Sequence, residues 1–259
     1  MAVNNDGIFL IDSHIHTNYL VLPNCDQVIQ EINDNPSLYA VINVGMNIET
    51  SVEAVNIAIN NPKFYAAVGI HPLYIKGEFD ENLYSLVNDK VVAIGEIGLD
   101  FNSEVSFYEQ RRYLILQIIA ANVLHLPVII HSNNANKEVL EIFEKYVKPR
   151  YGCVFHCFQP QIEYLDEIIK NDYYISFAGR ITYKNACKSI EVAKRVPDDL
   201  FLIETDLPFV SPEPFRDQMN TPGNIQYIVK KLAEVKGTTE EYIRTRTMKN
   251  TMNLFTKIK

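Results

Sequence analysis

The sequence predicts an α/β chain folded as a single (β/α)8 barrel, residues 1–259, with its chemistry at the mouth where the strands end. Three observations carry that reading. Eight short apolar segments alternate with helical patterns, the arrangement of a parallel sheet with crossover helices. The chain has 259 residues, close to the roughly 250 that such a barrel uses. The residue types able to do chemistry cluster where the segments end. An open doubly wound sheet is the rival arrangement. No Gly-rich loop follows any segment, which counts against its dinucleotide or P-loop forms.

The first strand is expected at 8–12, followed by Asp12-Ser13-His14-Ile15-His16. Helical spacing covers 25–34 and stops before Pro36, and a second strand follows at 39–45. A helix at 48–60 ends before Pro62, and a third strand at 64–69 closes on Ile70-His71-Pro72. A weaker helix is expected at 81–88. The fourth strand, 91–94, runs into Glu96, which stands between Gly95 and Gly98. Its continuous apolar run reads as a strand buried on both faces, and the glycines read as a sharp turn presenting the carboxylate. The longest helical pattern is 104–124. Strand five, 127–130, ends in His131, and a helix at 136–146 follows. Strand six, 153–155, ends in His156. A helix at 162–170, strand seven at 173–177 and a helix at 184–195 lead to strand eight at 200–203, which runs into Glu204-Thr205-Asp206. A proline-rich loop, 207–222, precedes three helices at 223–236, 239–246 and 248–258, with Thr238 and Thr239 as caps for the second.

Composition narrows the class. Hydrophobic residues make up 47% and charged residues 22%, as in an ordinary globular protein. The formal charge is −8 and the pI about 5.3. That excludes a broad basic groove gripping nucleic acid through its phosphates, but it leaves room for a small site in which metal ions supply the positive charge. Four cysteines are too few for a disulfide scaffold and read as free thiols in a reducing compartment. The N-terminus shows no signal peptide and the chain no membrane span, so the expected location is cytoplasmic.

Of six histidines, four lie at strand ends: His14, His16, His131 and His156. Residues two apart on a strand face the same way, so His14 and His16 point at one place, and Glu204 and Asp206 are expected to share a face. Strand ends one, four, five, six and eight then deliver His14, His16, Glu96, His131, His156 and Asp206 to one cavity. Imidazole and carboxylate suit Zn, Mn or Fe, with Mg where oxygen dominates. Six ligands exceed the needs of one tetrahedral ion. Two divalent ions bridged by Glu96 would use them all and could clamp both oxygens of a phosphoryl displacement. Asp206 is the proton acceptor expected in catalysis. His71, Arg216 and Arg180 are expected to meet substrate phosphate, Lys184 reads as surface, and Glu204 is expected to orient a liganding histidine. His125, Arg111 and Arg112 are assigned no role.

These stretches also resemble a known family. Ile11-Asp12-Ser13-His14-Ile15-His16, Val68-Gly69-Ile70-His71-Pro72, Ala93-Ile94-Gly95-Glu96-Ile97-Gly98-Leu99-Asp100, Leu126-Pro127-Val128-Ile129-Ile130-His131-Ser132, Val154-Phe155-His156-Cys157-Phe158, Tyr174-Ile175-Ser176-Phe177-Ala178-Gly179 and Leu202-Ile203-Glu204-Thr205-Asp206-Leu207-Pro208-Phe209 are similar, in order and over nearly the whole chain, to TatD-type metal-dependent hydrolases. The resemblance implies a monomeric or weakly associating barrel that hydrolyses phosphodiester bonds with divalent metal (Mg, Mn or Zn), often as a 3′ to 5′ exonuclease on single-stranded or damaged DNA. It departs from the family in three places. Asn133-Asn134-Ala135 stands where Arg-Asp-Ala is usual, Arg216-Asp217-Gln218-Met219-Asn220 where Arg-Gly-Lys-Arg-Asn is usual, and Thr17-Asn18 where Leu-Asp is usual. The first two remove cations from the mouth. The alternatives are a metal-dependent hydrolase of a small ester, lactone or amide, and a barrel serving as a non-catalytic subunit. Barrels of the former kind commonly carry a carbamylated lysine where this chain has Glu96.

Overall fold

The computed structural model describes residues 9–18 and 22–259. Eight strands form one sheet, in chain order and all parallel. They are β1 (Leu10–Ile15), β2 (Leu38–Val44), β3 (Phe64–Val68), β4 (Val91–Asp100), β5 (Val128–Asn133), β6 (Cys153–Phe155), β7 (Tyr174–Phe177) and β8 (Phe201–Ile203). The helices are α1 (Cys25–Asp34), α2 (Ile48–Asn60), α3 (Phe107–Leu124), α4 (Asn136–Lys145), α5 (Leu165–Lys170), α6 (Cys187–Arg195), α7 (Ile225–Lys236) and α8 (Glu240–Leu254). Ile8, the expected start of the first strand, lies outside the described residues.

The sheet closes where β1 meets the chain leaving β8. The Asp206 N–H donates to the His14 carbonyl at 3.0 Å, and the His16 N–H donates to the Leu207 carbonyl at 2.8 Å. Outward-facing strand residues such as Leu10, Val41, Phe64, Val68 and Ile130 pack against the helices, and a second cluster (Ile11, Ile42, Ala67, Ile129, Val154, Leu202) fills the interior. Phe255 and Ile258, beyond the end of α8, join the interior cluster. Apolar side chains therefore occupy the lower barrel and leave the strand ends for polar groups, as this architecture requires.

Three local readings are corrected. β4 does not turn at Glu96. It continues to Asp100 with every residue buried, because after a register shift Ile97, Gly98, Leu99 and Asp100 pair with Ile130, His131, Ser132 and Asn133. The stretch expected as a helix at 81–88 is a 3-10 turn, Glu81–Leu86. The two final helices are one, α8, capped by the Thr239 side chain on the Tyr242 N–H. No Gly or Pro interrupts it between Glu240 and Leu254.

Candidate metal centre

Glu96 is 3% exposed, and its two oxygens look in different directions. Oε2 lies 3.4 Å from His14 Nε2 and 3.6 Å from His16 Nε2. Oε1 lies 2.6 Å from His156 Nε2, 2.7 Å from His131 Nδ1 and 3.4 Å from His71 Nε2. Asp206 Oδ1 lies 3.7 Å from His16 Nε2, on the far side of the first pair. The His14 and His16 Nε2 atoms are 3.1 Å apart, so the two-residue spacing does place both on one side. All six residues expected as ligands therefore meet at one mouth, with His71 beside them.

The tautomers can be read from the outer contacts. His16 Nδ1 is 2.9 Å from the Val44 carbonyl, which only accepts, so Nδ1 carries the proton and Nε2 presents a bare lone pair. His131 Nε2 is 2.9 Å from Asp100 Oδ2, so its Nδ1 is the nitrogen facing Glu96. His156 Nδ1 is 3.5 Å from Glu204 Oε1, which leaves Nε2 inward. Glu204 is itself fixed by the Cys157 N–H, and it faces the His156 ring as an ion-pair partner without a hydrogen bond to it. Its pairing with Asp206 on one face does not hold: Asp206 has a left-handed backbone, φ 57°, so the two-residue strand period ends at Ile203.

Acceptors crowded this closely repel one another unless protons or cations lie between them. A tetrahedral ion with ligands at about 2.1 Å sets its ligand atoms about 3.4 Å apart, and the spacings here run from 2.6 to 3.7 Å. Groups suited to an ion are His14, Glu96 and His156; His14, His16 and Asp206; and His71, Glu96 and His131. The donor set fits divalent metal.

Electrostatics agree with this. Burial, then the nearby His14, push His16 down to about 3, so it is neutral and able to ligate. Burial alone would raise Glu96, yet His156, His71 and His131 hold it well below the usual carboxylate range. Burial would lower His156, but Glu96 and Glu204 raise it well above the usual imidazole range. Burial moves Asp206 up to about 6, against the pull of His156 and His14.

His71 differs from the others. Its Nδ1 accepts the Leu73 N–H at 3.1 Å, so the neutral ring carries its proton on Nε2 and faces Glu96 as a donor. Arg180 and Arg216 are exposed on the loops after β7 and β8. Arg216 stacks on the Tyr183 ring at 4.3 Å. Among the described residues neither arginine forms a hydrogen bond or ion pair with the cluster, while Arg180 lies near enough to Cys157 to act on it electrostatically.

Sequence reasoning missed Asp100 and Asp12. Asp100 braces His131 and accepts from Asn133 Nδ2 at 3.0 Å and from the Asn102 N–H at 2.8 Å. With the fourth strand expected to end at residue 94, the face that Glu96 and Asp100 share on β4 is not visible in the sequence. Asp12 accepts from the Thr205 N–H at 2.9 Å and the Thr205 hydroxyl at 2.6 Å, tying β1 to the segment that carries Asp206. Desolvation raises its pKa to about 7, and the Thr205 bonds oppose that rise.

A family model described as TatD related DNase matches residues 11–256. The chain is 34% identical over 254 residues to the uncharacterized metal-dependent hydrolase YabD of Bacillus subtilis (strain 168), covering 95% of this chain and 98% of that one. It is 29% identical over 255 residues to the uncharacterized metal-dependent hydrolase YcfH of Escherichia coli (strain K12), covering 96% of each. Its structure superposes on the crystal structure of YjjV, a TatD homolog from Escherichia coli K12, with a TM-score of 0.85 and 27% identity, covering 96% of this chain and 98% of that one. Among the described residues no helix is long and apolar enough to cross a membrane.

Proposed function

The chain belongs to the TatD-related DNase family and is a metal-dependent hydrolase, and from that premise we propose that it cleaves phosphodiester bonds in DNA as a nuclease of the 3′ to 5′ exonuclease type. One observation carries the reading: the two oxygens of buried Glu96 divide between two sets of inward imidazole nitrogens. In this proposal His14, His16, Glu96 and Asp206 hold one divalent ion, and Glu96, His131 and His156 hold a second. Bound there, such ions supply acidity to a water and offset the charge that develops on phosphorus.

The chain's own groups do the rest. Glu96, shared by both sets of imidazoles, would help hold both ions. Val44 and Asp100 hold His16 and His131 in the tautomers that point lone pairs inward, and the Glu204 carboxylate faces His156 at 3.5 Å. Asp206 Oδ1, at the edge of the first set, takes the proton of the attacking water. His71 Nε2–H donates to a phosphate oxygen or to the leaving alkoxide. The buried walls exclude bulk water and strengthen each of these interactions.

The test is purified protein with Mn²⁺ or Mg²⁺ and end-labelled single-stranded DNA. A nucleotide ladder that Glu96→Ala abolishes supports the nuclease. Turnover confined to small esters or lactones refutes it in favour of the small-substrate hydrolase.

A further inference from the structure

Two buried glutamines on α3 each grip a backbone segment that ends at the metal centre. Gln110 Oε1 accepts the Asp100 N–H at 2.8 Å, and its Nε2 donates to the Asp100 carbonyl at 3.1 Å and the Val105 carbonyl at 2.8 Å. Gln117 treats Ile70 in the same way: Oε1 accepts its N–H at 2.8 Å and Nε2 donates to its carbonyl at 3.1 Å. The two side chains are 2% and 0% exposed. Seven residues apart, they fall on one face of the helix, the buried face that also carries Tyr113, Leu114, Ile118 and Ala121.

The gripped segments lie where the sheet runs out. β3 ends at Val68, which pairs with Ile94. Among the described residues β4 then runs on to Asp100 with a strand, β5, on one side only. The Phe101 N–H reaches β5 at the Asn133 carbonyl, so the preceding Asp100 N–H points the other way and needs a partner there. A carboxamide offers the same donor and acceptor as a peptide, and each glutamine stands in for the missing strand. An apolar side chain of the same length would fill the space without burying an amide, but it would leave the height of the segment against α3 unfixed.

Both segments lead to one atom. Asp100 receives His131 Nε2 at 2.9 Å, and His131 Nδ1 stands 2.7 Å from Glu96 Oε1. Ile70 precedes His71, whose Nε2 stands 3.4 Å from the same oxygen. The two rings are 4.2 Å apart at 65°. We propose that Gln110 and Gln117 are positioning residues of the hydrolytic centre, with α3 as a ruler that sets His131 and His71 around Glu96 Oε1. The two grips are spaced about 10 Å along the helix, at 1.5 Å per residue. The proposal rests on His131 being a metal ligand.

The experiment needs no substrate. Chelator competition with Zn²⁺ on the full chain compares Gln110→Met with a control, Asn250→Leu. Asn250 on α8 is 1% exposed and donates to the Asp198 and Phe201 carbonyls at 2.9 Å each, so the control loses bonds of the same kind at the start of β8, the end of the barrel away from the centre. Gln110→Met should weaken zinc binding about tenfold, the low end of what loss of an outer partner costs, while Asn250→Leu lowers the thermal midpoint but keeps the affinity within twofold. Gln117→Met is read on the ring itself. Long-range proton–nitrogen spectra of the zinc-loaded chain cover only six histidines. In the wild type His71 should show one tautomer, protonated on Nε2, because its Nδ1 accepts the Leu73 N–H. Gln117→Met should turn it into a mixture, and Gln110→Met should not. Wild-type zinc affinity in Gln110→Met overturns the proposal, as does an equal loss in Asn250→Leu or a single His71 tautomer kept in Gln117→Met. Should Gln110→Met fail to fold, Gln110→Asn, with its amide one methylene short, reads the same ratio. Zinc affinity unchanged in His131→Ala would reject the ligand set instead, and the His131 tautomer in the same spectra of Gln110→Met then decides the proposal.

Discussion

Asp100→Asn tests the bracing of the centre with the least change in shape. Asp100 receives three donors: the His131 Nε2–H at 2.9 Å on Oδ2, and the Asn102 N–H at 2.8 Å and Asn133 Nδ2 at 3.0 Å on Oδ1. A carboxylate accepts at both oxygens, but an amide accepts at one and donates at the other. If the new oxygen faces His131, its NH2 meets the Asn102 and Asn133 donors. If it faces those, its NH2 meets the His131 N–H and drives the ring towards the wrong tautomer. Either way a buried donor loses its acceptor, at about 1–3 kcal/mol, and His131 loses a neighbouring negative charge. The expected result is a metal affinity about 10–100-fold weaker, or about 1.4–2.8 kcal/mol, read by chelator competition with Zn²⁺ or Mn²⁺. The thermal midpoint of the metal-free chain should fall by several degrees from the same lost acceptor. An affinity within twofold of wild type would refute the argument that Asp100 fixes the liganding nitrogen of His131.

Other predictions follow from the same geometry. Gly98 has φ 152°, and a Cβ built there would stand 1.9 Å from the His131 carbonyl oxygen. Gly98→Ala should therefore displace β5 at the centre and lower the thermal midpoint by several degrees, with loss of metal binding, as shown by calorimetry. Saturating divalent metal at a hundred times its Kd should stabilise the chain by about 2.7 kcal/mol for each ion bound, a rise of about 5–10 °C per ion for a chain somewhat longer than 150–250 residues, and EDTA should reverse it. Loading at pH 7 should also release protons. In the metal-free chain Glu96 and Glu204 outweigh burial and raise His156, so it is protonated at neutral pH and must give up that proton to ligate. Affinity should accordingly fall as pH is lowered, and calorimetry in two buffers of different ionisation enthalpy should differ. Identical heats would show that His156 binds no proton there.

How much of this was legible in the sequence depended on the range of each signal. The alternation of apolar runs and helices is local, and it placed α1 and α2 at the boundaries found, 25–34 and 48–60. The histidines announced themselves because they are scarce and stand at strand ends. Asp100 was hidden because the continuation of β4 depends on pairing with β5 after a register shift, which is a tertiary fact. Asp206 was assigned to the site, but the route there was misread, since its left-handed backbone breaks the two-residue period. A loop cation carries no periodicity, so the sequence does not fix where Arg180 and Arg216 sit, and Arg216 stacks on Tyr183.

The outer partners of the inward imidazoles explain why the centre is spread over so many strands. His16 is held by the Val44 carbonyl at the end of β2 and His131 by Asp100 on β4, while His156 faces the Glu204 carboxylate beyond β8 at 3.5 Å. Each brace comes from an element other than the one that carries the ring. Lone pairs forced together repel, and a ring braced by its own strand could relieve that repulsion by rotating with the strand. A ring held from another strand cannot move without breaking a buried hydrogen bond, which costs about 1–3 kcal/mol. His156 and His14 differ from these: among the described residues neither Nδ1 has a hydrogen-bond partner, His156 meets Glu204 only as an ion pair at 3.5 Å, and the His14 ring lies stacked on His156 at 4.0 Å. The orientation of His14 is therefore borrowed from His156. A Glu204→Gln change, which loosens His156, should weaken binding at both halves of the centre, whereas Asp100→Asn should weaken mainly the half that contains His131. Titration of two metal equivalents into each variant separates these outcomes, and equal losses from both halves in Asp100→Asn would contradict the borrowed orientation.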